Sequence, residues 1–274
     1  AMLREQVDHM VNVVITDEEI DFMLRRCTWL PLWYFTFLRG YRFNPKELHI
    51  SQDDEGHLSI TIRGKWFSTI MWEMPLLSCI SEIMHVLNGD DATYDIERER
   101  QKVVEKSKKI FSNGLVLGDM GTRRRFSFAH QEMVLQTMTD VYRSQQWPGV
   151  FTGTSNVYLA MKLGLKPLGT LSHQIVSFEE NVSGVFECNY MVMKKFSDVY
   201  DGNNGIFLYD CFGDEIFFKN MSKRMAMMYM GLRVDSGNEE EQTEKIIEKY
   251  RQLGIDPRTK QVVYSKGLNV DRCI

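Results

Sequence analysis

The chain has 274 residues, 43% hydrophobic and 26% charged, enough to bury a substantial core in one or two domains. A net charge of −4 argues against general nucleic-acid binding, which leaves a strongly basic imprint. Five scattered cysteines, odd in number and without a C-x-x-C pair, favour reduced thiols in a cytoplasmic protein over a disulfide framework or a zinc site, and no run approaches the roughly 20 apolar residues that span a bilayer.

In chain order, "TDEEIDFMLRRC" (16–27) opens with Thr and carries Glu three residues on, a capping box that predicts a helix. "ELHISQDDEGHLSITIRGKW" alternates apolar and polar residues on both sides of "DDEG" and predicts a β-hairpin. "STIMWEMPLLSCISEIMHVL" (68–87) predicts a strongly apolar, buried helix. "IERERQKVVEKSKKI" (96–110) predicts an amphipathic helix with i,i+4 charge pairs. From about Phe111 the rhythm changes. Six short apolar runs end in polar residues and alternate with helical segments: "GLVLGDMGTR", "GVFTGTSN", "KPLGTLSHQ", "GIFLYDCFGD", "MYMGLRVDSG" and "QVVYSKGLN". Such alternation predicts parallel β/α units, and therefore an α/β fold with an unfinished α/β barrel over 111–274 behind an N-terminal α+β domain over 1–110.

Folds of this kind gather ligands where the strands end. Those ends offer Arg123 with two further arginines, Thr154, Ser155 and Asn156, Thr170 and His173, Asp210, and Arg233 with Asp235. Arginines match phosphate or carboxylate oxygens bidentately, while carboxylates hold Mg²⁺ or stabilise positive charge developing on a sugar ring. The set therefore predicts a pocket for an anionic, phosphorylated sugar. Each piece alone has a blander reading: an arginine triplet is usually a solvated face, a lone histidine usually structural, and "DSG" usually a turn. The repeated placement after strands carries the case. His9, His49, His57, His85 and His130 lack that setting and read as structural or surface residues, and the methionines, "RMAMMYM" included, read as core filling.

In order and spacing, "GTRRRFS" (121–127), "FTGTSN" (151–156), "GTLSH" (169–173), "DCF" (210–212) and "GLRVDSG" (231–237) resemble nicotinate phosphoribosyltransferase, a type II phosphoribosyltransferase. The likeness extends to "LRGYRFNP" (38–45) and "WEMPLLSCISE" (72–82) and covers nearly the whole chain. The resemblance implies an enzyme of pyridine-nucleotide salvage that joins nicotinate to phosphoribosyl pyrophosphate, a glycosyltransferase working as a dimer. It also implies Mg²⁺ carried by that substrate and ATP as co-substrate, while the charge balance and the lack of a spanning run predict no nucleic-acid or membrane partner. It further implies that His173 is phosphorylated by ATP and that Asp210 and Asp235 lie near ribose and metal. Thr170 and Arg233 would bind nicotinate, and Arg123 would lie at the base and phosphate site. Ser155 stands where nicotinamide-using relatives carry an aspartate, and so favours the acid over the amide. Several positions depart from the family's pattern: Met120 for a stacking phenylalanine, Gln174 for a glutamate, Val234 for a histidine, Asn238 for an aspartate, and Glu215 for an aspartate. The family's opening tyrosine segment and later glycine-rich phosphate loop are expected to lie outside this sequence. The alternatives are therefore a non-catalytic relative that binds or dimerises, and a nicotinamide-using transferase.

Overall fold

A computed structural model describes residues 1–274, the side chains of residues 91 and 93 excepted. The chain packs as two compact units: residues 1–28 and 32–168 with residue 274 form the first, and residues 29–31 and 169–273 the second.

In the first unit, helix α1 (Met2–His9) precedes α2 (Asp17–Arg26). The expected capping box is complete, with the Thr16 hydroxyl accepting from the Glu19 N–H and the Glu19 carboxylate accepting from the Thr16 N–H. Helix α3 (Leu32–Gly40) leads into the expected hairpin, where β1 (Leu48–Gln52) runs antiparallel to β2 (Leu58–Ile62). The Asp53 carboxylate accepts from the Glu55 and His57 N–H groups and closes the turn. A short α4 (Trp66–Thr69) and a 3₁₀ turn run into α5 (Glu73–Leu87).

This apolar stretch is less buried than the sequence predicts. Trp72, Leu76, Cys79, Ile80 and Ile83 share one helical face and pack with Leu3, Val7 and Leu48, while Met74, Leu77, Met84, Val86 and Leu87 are exposed on the others. The expectation that no segment is long and apolar enough to cross a bilayer also fails by length and composition: helical Trp66–Leu87 meets that measure. Within the unit, however, Trp72 donates to the Glu47 carboxylate, and Glu73 and Glu82 accept from arginines.

Helix α6 (Ile96–Ser112), capped by Asp95, matches the expected amphipathic segment. Then β3 (Val116–Asp119), α7 (Phe128–Arg143), β4 (Val150–Thr154) and α8 (Val157–Leu163) form one β/α/β/α run with β3 and β4 parallel. The register shifts between Leu117 and Gly118, so β4 carries an extra residue. Gly153 sits there at φ +133°, and a Cβ would collide with the Lys166 carbonyl oxygen, so only glycine fits.

The third expected strand, in "KPLGTLSHQ", is not a strand. It makes a single parallel bridge, Pro167 to Thr154, with Thr154 donating to the Lys166 carbonyl and Leu168 donating to the Thr154 carbonyl. Proline removes one ladder donor and Gly169 follows two residues on, so pairing stops.

The second unit begins with α9 (His173–Ser183) and α10 (Cys188–Val199). Strands β5 (Ile206–Leu208), β6 (Gly231–Val234) and β7 (Gln261–Tyr264) form a parallel sheet in that order. Helices α11 (Asp214–Asn220), α12 (Lys223–Met228) and α13 (Glu239–Gln252) fill the connections. The core joins Val176, Val192 and Met193 to Phe207, Phe217, Leu232 and Tyr250. "RMAMMYM" fills it only in part, because α12 turns Met225 inward and leaves Met227, with Met230 beyond it, exposed. The α/β class expected from the alternation is the class observed, and all five cysteines are free thiols.

Candidate active site

The candidate residues form two clusters, one on each unit. On the second unit, parallel pairing aligns the ends of β5, β6 and β7. His173 is the first residue of α9, and its Nε2 lies 3.2 Å from Asp210 Oδ1 and 3.7 Å from Asp235 Oδ2. Arg233 points from β6 toward the same place. Its Nη1 donates to Thr170 Oγ1 at 2.6 Å and to the Leu171 carbonyl at 3.0 Å, and its Nη2 donates to Asp235 Oδ2 at 3.1 Å. Its Nε is buried without a partner.

Two serines that the sequence did not single out complete this cluster. Ser236 donates to Asp210 Oδ2 at 2.5 Å, and Ser265 donates to Asp235 Oδ1. Register offered a signal for the second: Val234 pairs with Tyr264, so the residues after them, Asp235 and Ser265, are neighbours.

The electrostatics follow from these contacts. Burial alone would raise the Asp235 carboxyl, but the Ser265 hydroxyl, the Arg233 guanidinium and His173 outweigh it and hold the group below the ordinary carboxylate range. His173 turns Nε2, and not Nδ1, toward the two carboxylates. The neighbouring Cys211 thiol is pushed up to about 12, first by burial and then by the Asp210 charge, which makes it inert. Four of the expected residues are thus brought into direct contact with Asp235 or with each other's partners: Thr170, His173, Asp210 and Arg233. Val234, one residue on from Arg233, faces the core on the opposite side of β6. Gln174 is exposed, and Asn238 caps α13 by accepting from the Glu241 N–H.

On the first unit, the ends of β3 and β4 lie side by side, with Asp119 opposite Thr154. Asp119 was not among the expected residues, yet it is the centre of this cluster. Its Oδ2 accepts from Thr154 Oγ1 at 2.7 Å and Gln131 Nε2 at 3.3 Å, and its Oδ1 accepts from the Gly121 N–H at 3.1 Å. The Ser155 N–H donates to the Asp119 carbonyl at 2.8 Å. Met120 is exposed beside it.

The arginine triplet divides along α5. Arg123 donates to Glu73 at 3.2 Å, Arg125 donates to Glu82 at 2.6 Å, and Ser81 donates to the Arg125 carbonyl at 2.9 Å. Arg124 is exposed, and its guanidinium has no partner among the described residues. Ser127 then caps α7 by accepting from the His130 N–H, which is why a helix starts directly after the triplet.

Residues 115–274 match the model of the nicotinate phosphoribosyltransferase (NAPRTase) family, and residues 1–81 match the family's N-terminal domain. Nicotinate phosphoribosyltransferase of Methanosarcina acetivorans is 33% identical over 286 residues, covering 99% of this chain and 69% of that protein. The Chromohalobacter salexigens protein of the same name is 36% identical over 273 residues, covering 98% and 67%. The crystal structure of nicotinate phosphoribosyltransferase from Porphyromonas gingivalis superposes with a TM-score of 0.93 at 32% identity, covering 99% of this chain and 68% of that one. Both family models match, relatives of this name align over nearly the whole chain and the fold agrees, so the chain belongs to the nicotinate phosphoribosyltransferase family.

Proposed function

We propose that this chain transfers a phosphoribosyl group to nicotinate. The pyridine nitrogen attacks C1 of phosphoribosyl pyrophosphate, the C1–O bond to pyrophosphate breaks, and nicotinate mononucleotide and pyrophosphate are the products. What carries the reading on the molecule itself is the His173–Asp210–Asp235–Arg233 constellation. The carboxylates of Asp210 and Asp235 suit the positive charge that an oxocarbenium-like ribose develops. Arg233 and Thr170 supply a cation and a hydroxyl suited to the nicotinate carboxylate. On the first unit, Ser155 replaces the aspartate of nicotinamide-using relatives, which removes a like-charge clash with the acid. Arg123 and Met120 share the loop after β3, Arg123 for the base and phosphate and Met120 for the face of the pyridine ring.

His173 takes the γ-phosphoryl group of ATP on Nδ1, because Nε2 is committed to the carboxylates; the P–O bond breaks and ADP leaves. Water later attacks the phosphohistidine and releases phosphate. Mg²⁺ arrives with the pyrophosphate as the substrate's counter-ion. Among the described residues no group of three or more His, Cys, Asp or Glu side chains is arranged to hold a metal ion. The active form is a homodimer, supported by exposed Leu32, Trp33 and Phe67 on the first unit, and sedimentation checks it.

The test is incubation with nicotinate, phosphoribosyl pyrophosphate, Mg²⁺ and ATP. Nicotinate mononucleotide should form in the wild type, and ATP-dependent phosphate incorporation should vanish in His173→Ala. Absence of product with nicotinate binding retained would overturn the transferase reading in favour of a binding role.

A further inference from the structure

We propose that Asp119 is a positioning residue that sets nicotinate affinity by locking together two separate chain segments, the one carrying Met120 and Arg123 and the one carrying Ser155. The inference rests on the functional reading above and deepens it.

Asp119 ends β3, and its carboxylate accepts three hydrogen bonds from three different parts of the unit. Thr154, fully buried, donates from the end of β4, Gln131 donates from α7, and the Gly121 N–H donates from the loop. The backbone carbonyl of Asp119 takes the Ser155 N–H as well. One residue thereby fixes the peptides on either side of Met120 and the backbone of Ser155.

Gln131 braces the arrangement from behind. Its Nε2 also donates to Thr122 Oγ1 at 2.9 Å, and Thr122 Oγ1 accepts a second, longer bond from Asn156 Nδ2 at 3.4 Å. Both N–H groups of that amide are used, while its Oε1 is buried without a partner. That orphan acceptor is informative. Rotating the amide would bring Oε1 against the Asp119 carboxylate, so the charge of Asp119 dictates the orientation even at the cost of an unsatisfied oxygen. The shifted register of β4 serves the same end, because the extra residue brings Thr154 level with Asp119.

The consequence is selective. The Asp119 carboxylate is taken up by Thr154, Gln131 and Gly121, and Thr122, Gln131 and Thr154 are buried. Loosening this hub leaves the His173 cluster on the other unit intact but lets Met120 and Ser155 drift. Affinity for the pyridine falls, whereas the chemical step on bound substrate persists.

The experiment compares wild type with Asp119→Asn, Thr154→Val and the donor–acceptor exchange Asp119→Asn/Gln131→Glu, in which the two side chains swap roles. Two readouts are taken: steady-state kinetics for nicotinate, and the rate of tryptic cleavage after Arg124, followed by mass spectrometry. In Asp119→Asn the KM for nicotinate should rise about tenfold with kcat within about threefold, and cleavage should accelerate. Thr154→Val should shift both in the same direction by less, and it serves if Asp119→Asn does not fold. The exchange variant should recover most of both losses. Unchanged cleavage, or faster cleavage with unchanged KM, overturns the proposal, as does a fall in kcat alone. If the wild type makes no nucleotide, the functional reading has failed, and the cleavage rates alone decide whether Asp119 fixes the loop.

Discussion

At the scale of single residues, the chemistry depends on how each charged group is held. Ser155 gives a direct check on substrate choice. Ser155→Asp should lower kcat/KM for nicotinate by roughly tenfold or more, about 1.4 kcal/mol, through like-charge repulsion. Nicotinamide turnover should fall less, so the ratio of the two kcat/KM values reads the effect. Cys211 gives a negative control for reactivity beside His173. With its thiol pushed up to about 12, by burial and then by Asp210, it should resist iodoacetamide at pH 8 in the folded protein and react only after denaturation. Mass spectrometry of the alkylated peptides decides, and rapid labelling of Cys211 in the folded chain would contradict this assignment.

Elements come next, and here glycine and caps decide where side chains point. Gly153 sits in the register shift of β4 with φ +133° and with the Lys166 carbonyl oxygen where a Cβ would lie. Gly153→Ala combines backbone strain with a steric clash, so a loss of about 2–4 kcal/mol is expected, seen as a lower denaturant midpoint. The α2 capping box tests a purely local contribution. Thr16→Ala should cost about 1 kcal/mol of stability without changing nicotinate KM, because the box lies at a helix start remote in sequence from either cluster. The same elements show how far local signals reach. The hairpin, the capping box, α6 and five of the six strands follow from alternation, caps and helical period. "KPLGTLSHQ" carries the same apolar-then-polar look and fails, because Pro167 and Gly169 stop the ladder after one bridge. The helix 68–87 is strongly apolar in sequence, and nothing local says which of its apolar faces the first unit covers.

Across the whole molecule, stability should fall in two pH windows. Lys245 and Gln242 hold the Asp214 carboxyl below its ordinary value, and the contacts of Asp235 do the same against its burial. A carboxyl depressed in the folded state stabilises above the unfolded value of about 3.9, and that contribution disappears as pH falls below it. His130 acts at higher pH. Burial lowers its pKa, Glu99 opposes that shift and His85 adds to it, so the fold favours the neutral ring. Its contribution is present above the unfolded value of about 6.5 and is lost as pH falls through it. Melting temperature should therefore drop from pH 7.5 to 5.5 in the wild type and drop less in His130→Gln. Below pH 4 the remaining dependence should shrink in Asp214→Asn. Equal slopes for wild type and variants would contradict these assignments.

The sequence by itself determined the α/β class, most of the strands, the capped helices and the ordered motifs that mark the family, because caps, period and short motifs act over a few residues. It also named His173, Asp210, Arg233 and Asp235, since each directly follows, or sits at the end of, an apolar run. Tertiary structure alone decided the partners. Arg123 meets Glu73 across 50 residues, Asp119 meets Thr154 across 35, Asp235 meets Ser265 across 30 and Asp119 meets Gln131 across 12. Such pairings depend on strand register and on which helical face packs inward, and neither is fixed by local propensity. That is why "GLVLGD" reads in sequence as an ordinary strand end, while in the fold its aspartate is the point on which the first cluster is built.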